Sequence, residues 1–141
     1  MAPEEHDLRP YAPPEPGRVA VVGVCAAGKS TLVRLLRQAG YEARSCAQEH
    51  SYVGDMWRRL SRPQVLVYVD ASLEVISQRR QPAYEPEYIA EQRRRLAHAR
   101  EHCHIYVHTD DLAPVQVFER VVTALAALGI EPRGAERRDS A

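Results

Sequence analysis

Apolar residues fall into short runs separated by glycine, proline and charged stretches. Arg18-Val19-Ala20-Val21-Val22 is β-branched and almost continuously apolar, as in a strand buried on both faces. Over residues 30–39, Leu32, Leu35, Leu36 and Ala39 share one side and Gly40 is a stop, which predicts a helix. Residues 42–46 predict a weaker strand. Residues 52–61 predict a short helix or helical turn, with Tyr52, Met56, Trp57 and Leu60 over a small core and Pro63 marking its end. Val65-Leu66-Val67-Tyr68-Val69 predicts a second strong strand, closed by Asp70, and Ser72 suits the N-cap of a helix over 73–80. Pro82 and Pro86 mark a break, after which a long polar helix runs to about His102. Ile105-Tyr106-Val107-His108 predicts a further strand. Pro114 opens a last helix with an apolar stripe of Val115, Phe118, Val121, Val122, Leu125 and Leu128, ended by Gly129. Strands alternating with helices predict an α/β fold with a mostly parallel sheet of about four strands.

Composition narrows the class. The chain has 141 residues, enough for one domain. Residues 1–16 hold five prolines among acidic residues and predict a flexible lead-in; 17–130 form the domain, and 131–141 a flexible tail. Lys plus Arg and Asp plus Glu are both 19, so the formal charge is zero. That argues against a protein that holds nucleic acid by bulk electrostatics. No apolar run of about 18 residues predicts a membrane span, and the N-terminus has no leader pattern. Cys25, Cys46 and Cys103 form no secretory disulfide framework, so a cytoplasmic protein with reduced thiols is expected. Lys29 is the only lysine, so any lysine-dependent chemistry must use it.

That lysine stands in the most specific feature of the chain. Gly23-Val24-Cys25-Ala26-Ala27-Gly28-Lys29-Ser30, followed by Thr31, matches G-x-x-x-x-G-K-[ST] between a predicted buried strand and a predicted helix. Glycines at 23 and 28 permit a tight wrap that turns backbone N–H groups inward on an anion. The helix start adds its positive end. In such a loop Lys29 reaches the β- and γ-phosphates, Ser30 offers its hydroxyl to Mg²⁺, and Thr31 lies near the α-phosphate.

On these residues the chain resembles small P-loop nucleoside triphosphatases of the nucleotide and nucleoside kinase-like group. A second segment supports the resemblance: the strand closed by Asp70-Ala71-Ser72, then a helix ending in Arg79-Arg80. The resemblance covers about residues 18–129. It implies a three-layer fold, ATP and Mg²⁺ as ligands, and transfer of the γ-phosphoryl group to a small acceptor. It also implies that Arg79 or Arg80 clamps the transferring phosphate. Val65 comes only 34 positions after Thr31, so the acceptor-binding region of the family is absent or much reduced. An Asp-terminated metal-side strand is also missing. Glu49, in Gln48-Glu49-His50-Ser51, is the preferred replacement, holding Mg²⁺ or accepting a proton. A helix-capping or sheet-edge role is favoured for Asp70.

Other signals are weaker. Arg93-Arg94-Arg95 reads as a solvated face. His98, His102, Cys103, His104 and His108 match no closed zinc pattern. With no D-x-x-G after the loop and no N-K-x-D, a GTPase is disfavoured. A stand-alone ATPase and a nucleotide-binding regulatory protein stand as alternatives to a kinase.

Overall fold

The computed structural model describes residues 11–133. Four strands are present: β1 (Glu15–Gly23), β2 (Glu42–Ser45), β3 (Pro63–Asp70) and β4 (Ile105–His108). All are parallel, in the order β2-β1-β3-β4. Five helices accompany them: α1 (Lys29–Gln38), α2 (Leu73–Arg79), α3 (Pro86–Arg95), α4 (Ala97–His102) and α5 (Pro114–Ala127). Gln48–His50 is a 3₁₀ turn and Trp57–Ser61 a π turn. The described chain is therefore an α/β fold built on a four-stranded parallel sheet.

Sheet order sets where the helices go. The chain leaves β1 for β2 on one side, then crosses back to β3 and on to β4 on the other. Right-handed crossovers in opposite directions put their connecting segments on opposite faces. The contacts agree, because α1 packs on α5, whereas α3 packs on α4 and on the 48–50 turn. The core runs through β1 and β3, where Val19, Val21, Val22, Leu66, Val67 and Val69 are fully buried. These central strands are covered on both sides, which explains their continuous apolar runs. The sheet reverses its direction of growth beside β1, and loops beyond the strand ends at such a point form a crevice.

Most predicted elements form, with four departures. Residues 11–16 belonged to the expected flexible lead-in, yet the Tyr11 hydroxyl donates to Asp55 at 2.7 Å and the Tyr11 ring lies under Arg58 and Arg59. β1 itself begins at Glu15. The remainder of the predicted lead-in, 1–10, and residues 134–141 of the tail lie outside the described residues. The predicted 86–102 helix is two helices that meet at Leu96, a buried turn residue at φ −94° and ψ −2° that ends α3 and starts α4. Of the apolar residues expected over the core in the 52–61 segment Trp57 alone is buried; Tyr52 precedes the helical turn and faces solvent, and Leu60 faces solvent because a π turn replaces the regular helical spacing. In α5 the buried stripe is Val117, Val121 and Leu125, while Val115, in the first turn, is exposed.

Candidate functional site

The loop from Gly23 to Thr31 joins β1 to α1 at the crevice. Gly23 must be glycine, because a Cβ there would lie 2.1 Å from the Val69 carbonyl oxygen of β3. Gly28 has φ 108° and is the N-cap of α1. It offers no side chain, and the first turn of α1 contains no acidic residue. The first-turn N–H groups therefore have neither an intrahelical acceptor nor a side-chain cap, and they carry the positive end of the helix. Ser30 is exposed at this end. Within the loop Ala26 has φ 64°, and the Ala27 N–H donates to the Val24 carbonyl at 3.2 Å.

Lys29 folds back into the loop. Its Nζ donates to the Gly23 carbonyl at 2.6 Å, to the Val24 carbonyl at 3.4 Å and to Glu49 Oε2 at 2.7 Å. This ion pair is buried, with the two side chains 12% and 6% exposed. The partner comes from the turn after β2, and β2 lies beside β1, so sheet order alone brings residues 29 and 49 together. The second Glu49 oxygen, Oε1, is buried without a hydrogen-bond partner. His50 Nε2 lies 3.8 Å from Glu49 Oε2 and 4.0 Å from Cys25 Sγ.

Two buried amides hold this corner. Gln92, on α3, accepts from the Cys25 N–H at 2.9 Å and donates from Nε2 to Cys25 Sγ at 3.0 Å. The backbone donor fixes which end of the amide faces it. Gln48 accepts from the Trp57 N–H at 2.8 Å and donates to the Val53 and Arg95 carbonyls. It thus anchors the turn that carries Glu49. Neither glutamine was singled out from sequence. A buried amide has no local signature, and only the fold shows what it satisfies.

Arg79 and Arg80 part company. The Arg79 guanidinium donates to the Ala26 carbonyl at 3.0 Å, the Thr109 hydroxyl at 3.1 Å and the Thr109 carbonyl at 3.0 Å. Thr109, itself buried, donates to the Ala27 and Asp70 carbonyls. Arg80 instead donates to the Tyr84 hydroxyl at 3.2 Å, beyond the end of α2, and makes no hydrogen bond to the loop among the described residues. Of the two expected arginines, Arg79 alone hydrogen-bonds to the loop among the described residues, because α2 ends at Arg79 and Arg80 leaves in an extended direction.

Beside the loop lies a cavity of about 480 Å³, lined among others by Ala26, Gly28, Thr31, Arg79, Thr109 and Pro114. Its size falls within the range of small-ligand sites. Asp70 is outside this group. Its Oδ1 accepts from Arg93 at 2.6 Å and from the Ala71 N–H at 2.9 Å, and its Oδ2 from Tyr106 at 2.8 Å. That is a strand-end and helix-entry role, and Ser72 completes it by accepting from the Val75 N–H at 3.2 Å.

The histidines are spoken for in part. His98 Nδ1 accepts from the Trp57 indole at 3.1 Å, and His104 Nδ1 accepts from the Leu66 N–H at 2.8 Å. Burial holds both imidazoles below the usual histidine range. Among the described residues no helix is long and apolar enough to cross a membrane. No protein-family model matches the chain, and no curated protein matches it either.

Proposed function

We propose that the chain is an ATP-binding P-loop protein that transfers the γ-phosphoryl group of ATP to a small acceptor. The observation that supports this reading is the uncapped N-terminus of α1, wrapped by a G-x-x-x-x-G-K-S loop whose lysine folds back onto a buried carboxylate. Free N–H groups, a helix end and one lysine form a site for a polyphosphate. The 480 Å³ cavity adjoins the same loop and would take the nucleoside, with Arg79 on its wall.

The resting ion pair gives the reading a mechanism. A polyphosphate would draw Lys29 away from Glu49. Glu49 already has one unpartnered oxygen and would then carry an uncompensated buried charge. A divalent cation offsets that cost, so Mg²⁺ and nucleotide should enter together. Ser30 and Glu49 would hold Mg²⁺, which would neutralise charge on the phosphate oxygens. Arg79 is anchored by the Thr109 carbonyl and hydroxyl, and its fork suits charge on a transferring phosphoryl group.

One observation favours a second reading, an ATPase that uses water as acceptor. Residues 46–62 make only two short turns against the sheet, so the described residues include no separate acceptor lobe. In that case Glu49 would accept a proton from water.

The test is calorimetric titration with ATP and with GTP, with and without Mg²⁺, beside Lys29→Ala and Glu49→Gln proteins whose folding is checked by circular dichroism. Mg²⁺-dependent ATP binding, lost in Lys29→Ala, is expected. Nucleotide hydrolysis without an added acceptor would favour the ATPase; protected nucleotide would send the search to acceptors. Unchanged ATP binding in Lys29→Ala would sink both readings.

A further inference from the structure

The geometry points to a second use of this corner: Cys25, Glu49 and His50 form a site for a thiophilic divalent cation such as Zn²⁺. The three residues offer a sulfur, an oxygen and a nitrogen ligand atom that all lie within 4.8 Å of one another. This is a different donor set from the hydroxyl and carboxylate proposed for Mg²⁺. A hard cation has little use for thiolate and imidazole, whereas Zn²⁺ takes both.

The ligand atoms must close in slightly, from separations of up to 4.8 Å. Zinc bonds of about 2.0–2.3 Å set tetrahedral ligand atoms roughly 3.5 Å apart. Cys25 Sγ and His50 Nε2 are 4.0 Å apart, and His50 Nε2 and Glu49 Oε2 3.8 Å. A second observation concerns the same carboxylate. The Glu49 side chain is only 6% exposed; its Oε2, the oxygen near His50, accepts from Lys29, and its Oε1 is buried without a hydrogen-bond partner. A buried, unpartnered carboxylate oxygen costs free energy that a cation would recover.

The surroundings complete the requirements. Gln92 donates to Cys25 Sγ and accepts from the Cys25 backbone N–H, an outer contact that orients the ligand. The His50 side chain is 49% exposed, which opens an entry path and leaves the fourth position to water or a ligand. On binding, the Cys25 thiol proton is released to solvent. Because the cation would share Glu49 with Lys29, such a site would make occupancy of the loop sensitive to thiophilic metal.

Cobalt titration of the full chain in the absence of nucleotide tests this apart from any activity. One equivalent of Co²⁺ should bind with a thiolate-to-cobalt charge-transfer band, and Zn²⁺ should displace it. Cys25→Ser should abolish the band, and His50→Ala should weaken binding by at least about 10-fold. Cys46→Ser, Cys103→Ser and His102→Ala should leave both unchanged. In the unsubstituted protein Zn²⁺ should protect Cys25, and not Cys103, from alkylation, read by peptide mass; this keeps the test valid if Cys25→Ser misfolds. A band that survives Cys25→Ser, binding indifferent to His50→Ala, an unprotected Cys25, or no stoichiometric binding would each overturn the proposal.

Discussion

Two carboxylates stand at the ends of the two strands that flank β1, and they live differently. Asp70 ends β3 with both oxygens engaged by Arg93, the Ala71 N–H and Tyr106. Glu49 follows β2 with one oxygen on Lys29 and the other buried without a partner. A satisfied carboxylate closes a structure. An incompletely satisfied one, paired with the single lysine of the glycine loop, leaves a buried acceptor that a ligand could use. The acid that terminates the better strand is thus fully engaged by its neighbours, and the acid in an irregular turn is the one with an oxygen to spare.

The largest expected effect comes from breaking the Glu49 side. Lys29→Met leaves a buried carboxylate without its cation and should lower unfolding stability by about 3–5 kcal/mol at neutral pH, measured by urea denaturation. Glu49→Gln should cost clearly less, because Lys29 keeps the Gly23 and Val24 carbonyls. Equal losses in the two proteins would show that the pair is not the asymmetric element described.

Asp70→Ala should cost about 2 kcal/mol, since it strips Arg93 and Tyr106 of an acceptor in a half-exposed setting. Nucleotide affinity should stay within twofold, whereas Arg79→Ala should weaken it roughly 10-fold, about 1.4 kcal/mol. Loss of ATP binding in Asp70→Ala would erase the distinction between the two carboxylates.

The next effect is a pH dependence from outside both. His98 and His104 are held below the ordinary value of 6.5, first by burial, and accept hydrogen bonds at Nδ1. As pH falls below 6.5 the unfolded chain takes up protons that the folded chain refuses. Stability is therefore full above that pH and declines below it, down to the folded-state values. Denaturation midpoints from about pH 7.5 down to about pH 5, which span the reference value, check this. A His98→Asn, His104→Asn protein should show a flatter decline.

Smallest of all, Arg80→Ala should shift stability by less than about 0.5 kcal/mol and leave ATP affinity unchanged, because Arg80 is exposed and bonded only to Tyr84 among the described residues. A loss like that of Arg79→Ala would place Arg80 in the site after all.

Much was legible along the chain because its causes are local. Continuous β-branched runs at 19–22 and 65–69 report strands covered on both faces, and Ser72 caps α2 because its hydroxyl reaches three residues on. The glycine loop is equally local: its glycines, its lysine and the helix start are contiguous, so eight residues carry the whole pattern. What failed was also physical. Helical spacing alone predicts one helix through Leu96 and apolar faces that include Leu60 and Val115, but two helices meet at Leu96, a π turn changes the spacing at Leu60, and Val115 is exposed in the first turn of α5.

Which side chains meet is another matter, because it depends on strand order, and strand order is a long-range choice. Residues 29 and 49 pair because β2 lies beside β1, and Gln92 reaches Cys25 across 67 residues because α3 packs against the turn that follows β2. Arg79 and Arg80 are neighbours with the same chemistry, and the end of α2 aims one at the loop and the other at Tyr84. Composition and spacing list the groups that can act. Burial and the geometry of the sheet determine which of them lack a partner, and so which are free to take a ligand.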